Sequence, residues 1–443
     1  MNLLRVGSKV GSLHVIVIGF SFLASVFLVK SLDANLYGKY IYLVSIIAIL
    51  PLLFNSFDQI LIRFGSVEKV EKQILYLKGI IFCKKLIFLL SLVFLYVWMI
   101  NFELILLEDK LFIHLLIIML IKELVLLVQN SLKTIININE KYMIISSIEF
   151  IRSATYACVI ISAYFLSIDS HNMLMTVVYF NLISELLIFI YVFNTASKLL
   201  ENKLFNLSFR INSIKLIFNK EKLNYFGPLQ LVSFQSYLKQ YLPQILLGKI
   251  ATYNEVAYYE VIKKIYNIIH KFTPKMTELF LPSIIKTKTK DEMMFIHKMN
   301  SFGIYYTVAI SFISLVIFYS DELILNMFSL TYFEGVNSIF LLFSLNLIVG
   351  SIGQLNNIII KTSDTTKGIL YASIIRTVIG SVLLVYLVSN YGLYGASFSK
   401  LIDTIILSVV LIYYSSKSFP IAINLKLTLI LICNFAFYMG VFI

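Results

Sequence analysis

Charge is scarce in this chain. Only 14% of its 443 residues are Asp, Glu, Lys or Arg, against 59% that are hydrophobic, and the mean hydropathy is +0.88. A soluble core cannot use so much apolar surface, because too few polar residues remain to cover it. Cysteine is equally sparse. Cys83, Cys158 and Cys433 lie far apart in apolar stretches, with neither disulfide nor metal spacing, and read as small hydrophobes. There is no GxxxxGKS/T phosphate loop, no HExxH and no Cys/His cluster, so no metal or cofactor is expected. No gap between apolar stretches is long enough for a soluble domain. The short outer gaps leave no room for the acid/base groups of a sugar-polymerising enzyme.

What is present is a succession of apolar stretches. Each is long enough, at 1.5 Å per helical residue, to cross roughly 30 Å of hydrocarbon. They run near 10–30, 40–62, 79–100, 111–136, 142–166, 172–194, 223–248, 255–280, 300–319, 335–360, 368–389 and 393–414, with a thirteenth at 424–443. The predicted fold class is all-α: a polytopic membrane protein of twelve transmembrane helices, thirteen if 424–443 crosses. The stretch 10–30 is too long for a signal h-region and runs into Lys30-Ser31-Leu32-Asp33 without a small-residue cleavage pattern, so it is read as the first span.

Lys and Arg fall in alternate gaps. The gaps 1–9, 63–78, 133–141, 195–222, 281–299, 361–367 and 415–426 hold 22 of them; the intervening gaps hold four, Lys30, Lys39, Lys110 and Lys249. This bias predicts that the first set is cytoplasmic, with the N-terminus inside. The net charge of +13 is thus a matter of orientation against anionic lipid, and no nucleic-acid partner is expected.

The longest polar gap, 195–222, is basic and Asn-rich. It reads as a cytoplasmic linker between an N-terminal six-helix lobe, 1–194, and a C-terminal six-helix lobe, 223–414, with a tail at 415–443. A fragment of each half recurs in register. Leu28, Lys30, Asn35, Gly38 and Tyr40 correspond to Leu247, Lys249, Asn254, Ala257 and Tyr259 at a constant offset of 219 residues, as a parallel repeat about an axis along the membrane normal requires.

Ionisable groups at bilayer depth cost about 2.5–3.5 kcal/mol each, which makes them candidates for function. In the eighth stretch Glu260, Lys264, Asn267, Lys271, Lys275 and Glu278 are spaced 4, 3, 4, 4 and 3 residues apart and form one helical stripe, with Lys263 and His270 beside it. The seventh stretch offers Ser233, Ser236, Gln240 and Gln244, with Lys239 alongside; the second offers Asn55, Gln59 and Arg63; the tenth, Asn346, Gln354 and Asn357. Any one polar residue can be interhelical glue, but several stripes together favour a shared water-filled cavity. Lys and Arg lining it suit an anion such as a diphosphate. Tyr259 and Tyr266 lie beside the cationic stripe, where sugar rings could pack on them, although aromatic residues at helical spacing more often serve as plain packing. Glu149 and Arg152, three residues apart, are expected to neutralise each other. Glu123, Glu185 and Asp403 stand as lone acids, candidates for ion coupling.

Several short motifs carry a resemblance. Leu36-Tyr37-Gly38-Lys39-Tyr40 is followed by Leu61-Ile62-Arg63-Phe64. Phe226-Gly227-Pro228 opens the seventh stretch, Gln244-Ile245-Leu246-Leu247-Gly248 closes it, and Leu279-Phe280-Leu281-Pro282-Ser283 ends the eighth. Asn390-Tyr391-Gly392-Leu393-Tyr394-Gly395-Ala396-Ser397 precedes the twelfth. Together these resemble the polysaccharide flippases of the Wzx or PST type, within the multidrug/oligosaccharidyl-lipid/polysaccharide exporter superfamily. There are departures: Pro243 stands where an Asp is frequent, Ala257 replaces a common Gly, and a thirteenth stretch exceeds the usual twelve.

The resemblance implies two six-helix lobes around a central cavity in the bacterial cytoplasmic (inner) membrane. It also implies alternating access and a substrate of the polyprenyl-diphosphate-linked oligosaccharide class, the O-antigen or capsule precursor, moved from inner to outer leaflet without catalysis. Arg63 corresponds to the family's arginine of span two; Lys239, Lys264 and Lys271 correspond to its cationic lining. A polysaccharide polymerase and other assembly proteins are the partners it implies. The alternatives are an ion-coupled drug or cation exporter of the same superfamily, which would favour an acidic pocket, and a membrane glycosyltransferase or polymerase.

Overall fold

The computed structural model describes residues 3–66, 68–102, 109–201, 217–269, 292–333, 335–361 and 367–416. Among the described residues a helix occupies all or part of each of the twelve expected spans, and no strand occurs. Helix α1 is Leu3–Ser31; the second span is a broken helix, α2 (Ala34–Ile47), α3 (Ile49–Asn55), α4 (Phe57–Ile60) and a π-helical turn, Leu61–Gly65. Then follow α5 (Val70–Phe102), α6 (Lys110–Ile138), α7 (Tyr142–Phe165), α8 (Ser170–Leu199), α9 (Lys220–Ile250), α10 (253–269), α11 (Glu292–Tyr319), α12 (Asp321–Met327), α13 (Val336–Lys361) and α14 (Lys367–Ser416). The stretch 424–443 lies outside the described residues.

Eight helices among the described residues are long and apolar enough to cross a membrane, nine if α11 and α12, which meet at 66°, form one span. Helix α5 shows why the solvent must be lipid. Leu90, Val93, Phe94 and Tyr96 are each more than 60% exposed on its outer side, a contiguous apolar surface that water would not tolerate. Exposed Leu, Ile, Val, Phe and Tyr recur on the other long helices among the described residues, so the protein is a multi-pass membrane protein.

The breaks have local causes. Pro51 cannot donate to the carbonyl one turn back, and the second span divides around it. Gly392 takes φ +50° and ψ −129°, a conformation open to glycine, and there α14 turns into two successive spans. Asp109 caps α6, its Oδ1 accepting from the Leu111 N–H at 3.1 Å.

By contact the chain divides into two compact units, Met1–Asp33 with Leu43–Tyr237, and Ala34–Tyr42 with Leu238–Ile443. In the second unit the start of α2 is pressed against the turn between α9 and α10. A Cβ on Gly38 would fall 1.7 Å from the Tyr253 carbonyl oxygen, and one on Gly248 would fall 2.3 Å from the Tyr42 ring. The segments around Gly38 and Tyr253 are therefore in direct contact.

Candidate functional site

In the second unit, α9, α10 and α14 bring together a group of buried charges. Glu260 accepts from Gln244 at 2.7 Å and from Lys263 at 3.2 Å; Lys263, itself buried, also donates to the Gln240 carbonyl at 2.7 Å. Lys264, one residue on, turns the other way and donates to the Tyr37 hydroxyl at 2.9 Å. Across α14, Arg376 Nε donates to Asp403 Oδ2 at 2.6 Å, and a Cβ on Gly380 would lie only 2.7 Å from the Asp403 carboxylate. Lys239 lies within electrostatic reach of Arg376 and Asp403; Lys400, over the Phe343 ring at 5.2 Å, lies within reach of Lys263, Glu260, Arg376 and Asp403.

The count decides what this group can do. Five cations, Lys239, Lys263, Lys264, Arg376 and Lys400, face two carboxylates, Glu260 and Asp403. The two carboxylates pair with two of the five, leaving three basic groups without a carboxylate of their own in helices read as spans. Such an excess of basic groups is costly in hydrocarbon and favours an anion.

The first unit holds two further groups. Lys84, fully buried, donates to Asp58 Oδ2 at 2.6 Å and Ser131 Oγ at 2.9 Å, and Ser131 donates to Asp58 Oδ1 at 2.8 Å, a closed triangle with its charges balanced. Elsewhere Arg152 Nη2 donates to Glu185 Oε2 at 2.7 Å and Gln129 Oε1 at 3.0 Å. This pair borders a cavity of about 430 Å³, which Ser21, Lys122, Glu149, Tyr156 and Asn181 also line.

Several expectations change here. Arg152 pairs with Glu185 on α8, not with Glu149, because α7 and α8 pack side by side and the carboxylate of Glu185 is buried facing it. Glu185 and Asp403 are consequently not lone acids; each is held by an arginine. Glu123 is half-buried, within electrostatic reach of Lys122, Glu185 and Arg152. Tyr259 and Tyr266 offer no ring to a ligand. Both are 1% exposed and pack on Phe343, and Tyr266 donates to the Phe340 carbonyl at 3.1 Å.

The remaining expected residues are dispersed. Arg63, in the π-helical turn of the first unit, is exposed, its guanidinium 5.7 Å from the Phe64 ring; Gln59 is exposed in α4, and Asn55 ends α3. In the second unit Gln240 is exposed, Asn267 and Gln354 are half-buried, and the Asn357 Oδ1 is buried without a hydrogen-bond partner among the described residues. Lys271, with His270, Lys275 and Glu278, lies outside the described residues. Among the described residues no three His, Cys, Asp or Glu are placed to hold a metal ion.

The sequence reading passed over Arg376, Lys400 and Lys84 as site residues. Arg376 and Lys400 are each the single cation of their span and Lys84 stands next to Lys85, none of them in a stripe; only presence at bilayer depth marked them.

No family model matches the chain, and no curated protein matches it. Solved structures do. The lipid II flippase MurJ in an inward-closed conformation superposes with a TM-score of 0.72 at 16% identity, covering 98% of this chain and 92% of that one. An inward-facing multidrug resistance MATE family transporter of the MOP superfamily gives 0.56 at 12% identity over 90% and 94% of the two chains. A mutant of the Vibrio cholerae MATE transporter VcmN gives 0.51 at 15%, over 90% and 92%. At these identities the likeness is one of fold, and the fold is the one these transporters share.

Proposed function

We propose that this protein is a flippase that moves a polyprenyl-diphosphate-linked oligosaccharide across the bacterial cytoplasmic membrane by alternating access, its N-terminus on the cytoplasmic side. One observation carries this reading: five cations against two carboxylates in the spans of the second unit, an excess of basic groups matched to a diphosphate. Lys239, Lys264 and Lys400 hold the phosphates, Arg376 and Lys263 are kept in place by Asp403 and Glu260, and the polyprenyl tail stays in lipid. The fold shared with a lipid II flippase agrees with a lipid-linked substrate. The sequence holds no nucleotide loop, so the drive is an ion gradient or consumption of the product by a polymerase. Of the three acids considered for coupling, Glu185 and Asp403 are each held by an arginine, and Glu123, in no arginine ion pair among the described residues, takes that role.

The test is genetic. Deleting the gene is expected to abolish surface polysaccharide. Wild type, but not a Lys264→Ala/Lys400→Ala variant present at equal level, is expected to restore it. A deletion strain that keeps its polysaccharide overturns the reading.

A second reading, an ion-coupled drug exporter, draws on the cavity of the first unit, where Glu149 and Glu185 supply carboxylates. It is favoured instead if the deletion strain becomes drug-sensitive with its polysaccharide intact.

A further inference from the structure

A second cavity, of about 490 Å³, opens in the second unit where the α9–α10 turn, the segment after α12 and the kink of α14 meet. All three segments fall in gaps that the Lys/Arg bias assigns to the outer side. Its lining is aromatic and polar: Tyr258, Phe333, Tyr391 and Tyr394 with Asn254 and Glu255. None of the described residues lining it is Lys or Arg, so it is unsuited to the diphosphate.

The walls are fixed. Tyr258 is buried and its hydroxyl donates to the Thr331 carbonyl at 2.8 Å, while Phe333 packs edge-on against its ring at 5.0 Å. Glu255 is held by the Leu393 N–H at 2.6 Å, and a Cβ on residue 392 would strike its Oε2 at 2.6 Å, so the glycine of the kink is what lets this carboxylate enter the wall. Tyr391 and Tyr394 are 59% and 46% exposed on either side of that glycine. A tyrosine belt at a membrane surface presents rings to lipid. Here rings, an amide and a carboxylate surround one concavity, with a volume in the range of ligand sites.

We propose that this cavity receives the sugar portion of the lipid-linked substrate at the outer face, resting pyranose rings on Tyr391 and Tyr394 and binding hydroxyls through Glu255 and Asn254. It rests on the flippase reading and extends it: phosphate and sugar are held at different places in the same unit. The two chemistries need different walls. Sugar rings present apolar C–H faces to aromatic rings and hydroxyls to carboxylate and amide, and gain nothing from clustered ammonium groups. A quaternary ammonium ligand would also suit aromatic rings beside a carboxylate. The cavity is much larger than such a headgroup fills, and Glu255 already accepts a backbone N–H.

The test uses full-length protein in lipid nanodiscs, with saturation-transfer NMR to free galactose, N-acetylglucosamine, rhamnose and glucuronate, and choline as competitor. Wild type is expected to transfer saturation to at least one sugar. Tyr391→Ala/Tyr394→Ala and Glu255→Gln are each expected to lower the signal by roughly 3- to 10-fold, the range of lost aromatic and charged hydrogen-bond contacts. Both tyrosines are exposed and Gln can still accept from Leu393, so these variants fold. In cells, both are expected to reduce surface polysaccharide.

No transfer to any sugar, unchanged transfer in the variants, or displacement by choline overturns the proposal. So does lost transfer with undiminished polysaccharide, which would mark a site for free saccharide alone. These failures are distinct from failure of the flippase reading, which shows as surface polysaccharide persisting when the whole gene is deleted.

Discussion

Lys264 donates a 2.9 Å hydrogen bond to the hydroxyl of Tyr37, and its ammonium sits 5.5 Å from the centre of that ring. The lysine is thus directed onto a buried side chain, with one of its donors used and two remaining for an anion. Lys264→Ala is expected to lower the rate of flipping by roughly 10- to 100-fold, the size of one or two charge-assisted hydrogen bonds. Tyr37→Phe, which keeps the charge, is expected to cost less than Lys264→Ala. Rates measured in proteoliposomes at matched protein incorporation check the order.

The triangle of Lys84, Asp58 and Ser131 has balanced charges and a structural task. Lys84→Met alone is expected to destabilise the protein by about 3–5 kcal/mol, because it leaves the Asp58 carboxylate buried without its cation. Asp58→Asn added to it is expected to recover most of the loss. Thermal unfolding of the detergent-solubilised single and double variants measures both.

Gly38 and Gly227 separate a required glycine from a permitted one. Gly38→Ala places a Cβ 1.7 Å from backbone, where no side-chain rotation relieves it, and is expected to cost at least about 3 kcal/mol. Gly227→Ala, with nothing within 4 Å of its Cβ, is expected to be neutral or to stabilise α9 by up to about 1 kcal/mol. Size-exclusion profiles and melting temperatures of the two variants give the contrast.

These residues also mark how far the sequence was legible. The apolar spans could be placed because each stretch carries its own evidence of length and hydropathy, with no need of its neighbours. The helical spacing of Glu260, Lys264 and Asn267 on α10 could be read for the same reason, since i, i+3 and i+4 spacing is local, while the rest of the expected stripe lies outside the described residues. Pairing between helices is not local. Arg152 stands three residues from Glu149 and still bonds Glu185, 33 residues away, because packing of α7 on α8 decides it. Arg376 and Asp403, 27 residues apart, are related only through the turn at Gly392, and Lys400 joins the group by the same route. Tyr259 and Tyr266 show the converse. Their closeness to the cationic stripe in sequence says nothing of which way a ring faces, and both face Phe343.

The measurement that tests the central claim most directly is binding of undecaprenyl diphosphate and of undecaprenol to the purified full-length protein, followed by native mass spectrometry. The three basic groups without a carboxylate of their own in the second unit lead to the expectation that the diphosphate lipid binds and the phosphate-free alcohol does not. Lys239→Ala/Lys264→Ala/Lys400→Ala is expected to weaken the diphosphate lipid by at least about tenfold. Equal binding of the two lipids, or diphosphate binding unchanged in the triple variant, would contradict it.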